Sequence, residues 1–220
     1  DRIKALTMKS KNTWIQKTLL SLIALMIAVP ALRAEEWVRY QARPGSKITI
    51  EGTSTIHDWA IEGGIISGAM ELESNFPLDP AAKVPDSAKL NAKVQVAIPV
   101  RSLKSGKTLM DDVMRGAMNE EKFKLIQYKL DSISMKPHKP GDALEFEASG
   151  VITVSGVSKP NKMTVKIEKI SDTRLKVVGE TPLKMTDFGI APPAPSIGLG
   201  LIKTADDVKV TFEWVAAQRK

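Results

Sequence analysis

The chain has 220 residues, no cysteine and a formal net charge of +7. That length suits one domain with or without a short extra segment, and the missing thiols exclude disulfides, thiolate metal sites, a catalytic cysteine and lipid attachment to cysteine. Five of the seven net charges fall within residues 1–34, so the remainder is close to neutral and its charge does not mark a nucleic-acid binder.

Residues 1–34 read as an export signal. Lys9, Lys11 and Lys17 form a basic start, the run Leu19–Val29 is apolar except for Ser21, and Pro30 precedes a small-residue site ending at Ala34, with Ala31 as a second cleavage point. The run is shorter than the roughly 20 residues of a membrane span, although a retained anchor is the alternative. Asp1–Thr7 precede Met8 and read as lying upstream of the true start. The expectation is a mature domain over residues 35–220 in a bacterial periplasm, where disulfides are allowed but not required.

From residue 35 onward the dominant signal is period two. Lys47–Ile56 alternates with Ile48, Ile50 and Ile56 on one face. Ile65-Ile66 then breaks the phase between Trp59/Ile61 and Met70/Leu72, with Gly63, Gly64 and Gly68 to absorb it. Pro77–Pro85 is a proline-bearing connection. Leu90–Ile98 alternates next, followed by an amphipathic stretch around Lys107–Met118. Met110, Val113, Met114 and Ala117 form its apolar stripe, Thr108 with Asp111 can cap its start, and Asn119 can stop it. Ile126, Tyr128 and Leu130 mark a strand whose phase flips at Ile133 and Met135, the signature of a bulge. Leu144–Val154, Met163–Glu168 and Val208–Trp214 complete the set. One wet and one dry face per strand points to antiparallel sheet. Seven to nine such strands with a single helix close most readily into a barrel of about eight, with room for packed side chains or one small ligand.

The search for chemistry finds no catalytic or metal site. Ser54, His57 and Asp58 invite a hydrolase reading, but His57 and Asp58 would face opposite ways on an extended strand, and no nucleophile elbow is present. His57 and His138 are the only histidines and lack ligand spacing. The bland alternative is a strand-end bend in which Asp58 bonds its own turn and Trp59 enters the core. Asp187-Phe188-Gly189 looks like a kinase metal loop but has none of the accompanying motifs. It lies before Pro192, Pro193 and Pro195, which forbid a continuing strand, and reads as a turn with Phe188 inward and Asp187 capping the backbone. Gly198 and Gly200 form a flexible tip rather than a nucleotide fingerprint. Lys136–Lys139 reads as a solvated turn.

What remains is the interior. Trp59, Met70, Met110, Met114, Phe123, Phe146, Phe188, Phe212 and Trp214 are the candidate apolar lining, with a packed core as the alternative reading. His57, Asp58 and Arg115 are the candidate polar handles at a mouth.

Four motifs in order carry a family resemblance. They are Gly52–Trp59; Arg101–Gly106 with Met110–Met114; Gly150–Pro160, where Ser158 stands at a position commonly Thr; and Met185–Pro193 with Asp206–Val208. Together they cover about residues 45–215, and the chain resembles the YceI-like family of exported, polyisoprenoid-binding bacterial proteins. The resemblance implies an all-β fold, a lipocalin-like antiparallel eight-stranded barrel with one main helix near its mouth. It also implies an apolar pore for an isoprenoid lipid such as a quinone or polyprenyl chain, and no cofactor beyond that ligand. Transient membrane contact and a homodimer are the further expected partners, and nucleic acid is not. A packed interaction or stress-response protein and, less favoured, a Ser54/His57 hydrolase stand as the alternatives.

Overall fold

The computed structural model describes residues 36–81, 90–139, 141–194 and 202–219. The export-signal reading, Pro85, Pro195, Gly198 and Gly200 lie outside the described residues.

Ten strand segments and one helix make up the described chain. The strands are β1 (Trp37–Ala42), β2 (Lys47–Ser54), β3 (Trp59–Gly63), β4 (Ser67–Glu73), β5 (Ala92–Pro99), β6 (Leu125–Met135), β7 (Glu145–Val154), β8 (Val157–Ser171), β9 (Arg174–Lys184) and β10 (Thr204–Gln218). The helix α1 is Thr108–Ala117. The ten segments occupy eight wall positions. Along one edge β10 pairs with β9 from Asp207↔Lys184 to Ala217↔Arg174. Along the other edge it pairs first with β2 and then with β1. Thus β1 and β2 are two halves of one wall position, and β3 and β4, paired to β2 and β1 respectively, are two halves of the next. The ring continues through β5, β6, β7, β8 and β9, antiparallel throughout. This is the closed eight-stranded antiparallel barrel expected from the alternation.

Each break in phase has a physical device. Between β1 and β2 the Ser46 hydroxyl donates to the Arg43 carbonyl and accepts from the Val215 amide at 3.0 Å, stitching the corner to β10. Just inside β4 the chain relies on Gly68, whose φ is +136° and where a Cβ would stand 2.1 Å from the Gln95 carbonyl oxygen. In β6 the register against β7 shifts between Leu130 and Ser132, at the point where the apolar phase flips. The strand reading of Lys47–Ile56 runs too far, because β2 ends at Ser54 and Ile56 sits exposed in the following bend.

One end of the barrel is filled. Phe76 and Phe146 stack with centroids 5.3 Å apart, and Tyr40, Leu144 and Leu175 are buried with them. The described part of the Pro77–Pro85 connection therefore follows from this end, away from the helix. At the other end β5 leaves the wall at Pro99, and a 3-10 turn at Val100–Ser102 leads to Lys104. That residue exchanges both backbone hydrogen bonds with Glu62 at 2.8 Å. This bridge carries the chain across the mouth and into α1.

The helix begins differently from the expected Thr108–Asp111 cap. Its N-cap is Lys107, which has no side-chain capping bond, and Asp111 instead reaches back to Ser105, accepting from its amide and its hydroxyl, each at 2.7 Å. The carboxylate is buried, and these two donors hold it below its ordinary range, helped by Lys104 and Arg115 nearby. The helix stops at Asn119, whose φ of +51° is left-handed. Beyond it Glu120, itself buried, accepts two bonds from the Arg101 guanidinium.

Two predictions follow from these fastenings. Gly68→Ala should lower stability by more than the roughly 1–3 kcal/mol of an ordinary strained residue, because the backbone of β5 must move as well; thermal unfolding measures it. Asp111 has a depressed folded-state value, so its contribution is complete above the ordinary carboxylate value of about 3.9 and is lost as pH falls through the lowered value. Hydrogen exchange of the α1 amides should accelerate across that acid window, and Asp111→Asn should remove the step while raising exchange at neutral pH.

Candidate functional site

Inside the wall lies an apolar cavity of about 640 Å³. Its lining follows directly from strand phase, because side chains alternate across a sheet. Even-numbered residues face it from β2, β4, β5, β7 and β10, and odd-numbered ones from β3, β8 and β9. In β6 Ile126, Tyr128 and Leu130 give way to Ile133 after the bulge. Helix α1 roofs the mouth with Met110, Val113, Met114 and Ala117, the stripe seen in the sequence. The turn at Thr186–Phe188 supplies the rest of the roof. Phe188 is 4% exposed, and the following Gly189 is left-handed with φ +70°. Asp187 does not cap this turn; Asp206 does, accepting from the Thr186 amide at 2.8 Å and its hydroxyl at 2.6 Å. Those two bonds hold the Asp206 carboxyl below its ordinary range.

Trp59, Met70, Met110, Met114, Phe188, Phe212 and Trp214 all border this cavity. Phe146 and Phe123 do not. Phe146 has the inward phase but sits at the filled end, stacked on Phe76. Phe123 follows the helix and covers the tight hairpin between β7 and β8, where Ser155 and Gly156 both have positive φ. A Cβ at Gly156 would lie 2.4 Å from its ring. Ser155 adds a hydrogen bond from its hydroxyl to the Met118 carbonyl at 2.9 Å, so this hairpin anchors the helix exit.

The expected polar handles also separate. His57 stands on the rim, its Nδ1 2.9 Å from the Asp58 carbonyl oxygen. The Asp58 side chain and Arg115 do not border the cavity. Arg115 lies along the helix with its guanidinium 3.0 Å from Asp112 and 3.7 Å from Asp111. Nor do Ser54, His57 and Asp58 form a relay. The Ser54 hydroxyl donates to the His57 carbonyl at 2.7 Å and receives the His57 amide at 3.3 Å, closing the bend itself. The turn-closing role belongs to Ser54 rather than Asp58. Trp59 covers Gly52 on the neighbouring strand and donates its indole N–H to the Thr53 carbonyl at 3.2 Å. Among the described residues no three His, Asp or Glu side chains are grouped as metal ligands.

Two polar groups in the wall escaped the sequence reading. The Tyr128 hydroxyl lies buried over Gly150 and finds no hydrogen-bond partner among the described residues. Burial, with the negative charge of Asp131 behind it, pushes its pKa up to about 12, so the phenol stays neutral. The Trp214 indole N–H is equally buried and unpartnered. Thr181 also borders the cavity and receives the Asn161 amide at 2.8 Å. The period-two pattern already placed Tyr128 on the inner face; the search for large apolar side chains passed over it. Among the described residues charge enters the lining only at the rim, through Lys107 and Lys184.

Comparisons with known proteins agree with this geometry. A family model described as the YceI-like domain matches residues 44–216. Among solved structures, BcnA of Burkholderia cenocepacia is 16% identical with a TM-score of 0.57, covering 77% of this chain and 95% of that one. A polyisoprenoid binding domain from Saccharophagus degradans, implicated in plant cell wall breakdown, is 13% identical with a TM-score of 0.62, covering 84% and 100%. A mutant Campylobacter jejuni YCEI protein with a monobromobimane guest is 18% identical with a TM-score of 0.50, covering 73% and 84%. At these identities the structures establish a shared fold. No curated protein matches the chain. With the matched model spanning most of the barrel, the chain belongs to the family of YceI-like domains.

Proposed function

We propose that this barrel is a non-catalytic lipid-binding protein that sequesters or carries an isoprenoid-type molecule, a quinone or polyprenyl chain, through the periplasm. The observation that carries the reading is the cavity: about 640 Å³ of space bounded almost wholly by aliphatic, methionine and aromatic side chains, filled in at one end and roofed by α1 at the other. Its volume lies within the usual range of small-molecule sites. Transferring a five-carbon unit from water into such a lining gains roughly 3–4 kcal/mol at about 0.8 kcal/mol per carbon, so chain length rather than polar contact supplies the affinity. The methionines of the roof suit a flexible chain, since an unbranched thioether adapts to varied apolar shapes. A relative of the same fold is named for polyisoprenoid binding, which supports the ligand class. The export-signal pattern in residues 1–34 supports the compartment.

Native mass spectrometry of gently purified protein should show a stoichiometric lipid adduct, identified after extraction; repeated spectra without one would sink the proposal. Phe188→Ala refines it. A fully packed aromatic costs roughly 3–5 kcal/mol on truncation. A ring with one face on the cavity should cost less, while lipid retention falls sharply. A full stability loss with retention unchanged would make Phe188 a packing residue only.

A further inference from the structure

We infer that the roofed end of the barrel is a bilayer-docking surface, with Ile56 and Leu109 inserting into the interfacial layer of a membrane. This rests on the lipid-carrying reading and extends it to how the ligand is exchanged. Leu109 is 66% exposed and Ile56 is 58% exposed, the two most exposed large hydrophobic side chains among the described residues. They come from different elements, the first turn of α1 and the bend after β2, yet both also border the cavity. A single exposed leucine is ordinary on a protein surface. Here two exposed apolar side chains stand on the rim of an apolar lumen, beside the polar rim residues Ser54, His57, Lys107 and Thr108. The outer wall carries lone exposed hydrophobics such as Ile65, which does not border the cavity, among pairs such as Lys47–Glu62, Lys162–Glu147, Lys176–Glu168 and Lys209–Glu180.

The choice of occupant follows from charge and from size. Lys104, Lys107, Arg115, Lys184 and Lys203 stand at this end against Asp58, Asp111, Asp112, Asp187, Asp206 and Asp207, and Lys184 lies 3.5 Å from Asp207. The balance leaves no net field to recruit an anionic macromolecule. Two side chains also fall far short of the roughly 1,200–2,000 Å² of a specific protein interface. A lipid surface needs neither, because each buried CH2 contributes about 0.8 kcal/mol, so two inserted aliphatic side chains give a weak, reversible attachment.

Flotation with phosphatidylcholine vesicles tests the inference. Protein lacking residues 1–34, the segment read as an export signal, should float equally well between about 0.05 and 0.5 M salt, since insertion is not screened as charge is. Ile56→Ser with Leu109→Ser should reduce the floated fraction on the order of tenfold. Ile170→Ser should leave it unchanged, because that residue is 47% exposed at the opposite end, next to the last residue of β8. Circular dichroism confirms that each variant is folded; if the double variant is not, Leu109→Ser alone serves. Absence of flotation, equal flotation of all variants, equal loss in Ile170→Ser, or binding abolished by salt would each overturn the inference. So would a dimer that the double substitution dissolves, which would make a second copy the occupant. Lipid content separates this result from the carrier reading. A wild type that holds lipid yet does not float overturns docking alone, whereas a wild type that floats but never holds lipid overturns the carrier reading alone.

Discussion

Everything in this fold depends on β10 pairing along both of its edges. Its fifteen residues hold β9 on one side and, in succession, β2 and β1 on the other. Without that double engagement the sheet would open between the first and last wall positions, expose two strand edges and let the inner faces collapse together. Closure removes the unpaired edges. It also sets the circumference, which holds opposite walls far enough apart for a cavity to persist. The interior is therefore a consequence of backbone pairing as much as of side-chain choice.

A closed ring of long antiparallel strands has no slack, so irregularities must be concentrated where the chain can tolerate them. Ser46 and Gly68 mark the two corners where the first wall positions are broken, and the bulge in β6 marks a third. The roof is attached by a separate set of polar contacts. Asp111 with Ser105 fixes the start of α1, and Ser155 with Met118 and Arg101 with Glu120 fix its exit. These contacts lie outside the apolar lumen. The roof can thus be loosened without disturbing the pairing that closes the barrel.

How much of this was legible in the sequence follows from what alternation encodes. Period two reports which face a residue occupies, so Met70, Phe212 and Trp214 were identified as inward, and the flip after Leu130 correctly gave a bulge. It does not report height along the barrel axis. Phe146 has the same phase as Ala148 yet belongs to the filled end, because its neighbour Phe76 arrives from a loop that no periodicity describes. Phe123 misled for a related reason: an aromatic after a helix can face a hairpin from outside the lumen. The capping partners of Asp111 and Thr186 were misassigned because each bond reaches outside the local pattern, in the second case to Asp206, twenty residues away. The strands β1 and β9 went unnoticed individually, and only the barrel's need for closure shows why they must exist.

The stacking of Phe76 on Phe146 has one more consequence. Among the described residues it closes that end of the lumen and leaves the roofed end as the way in. A chain-like molecule in such a tube can only be withdrawn through the end it entered, last segment in and first segment out. Under the proposed lipid-binding role its direction would be fixed at loading and kept until release.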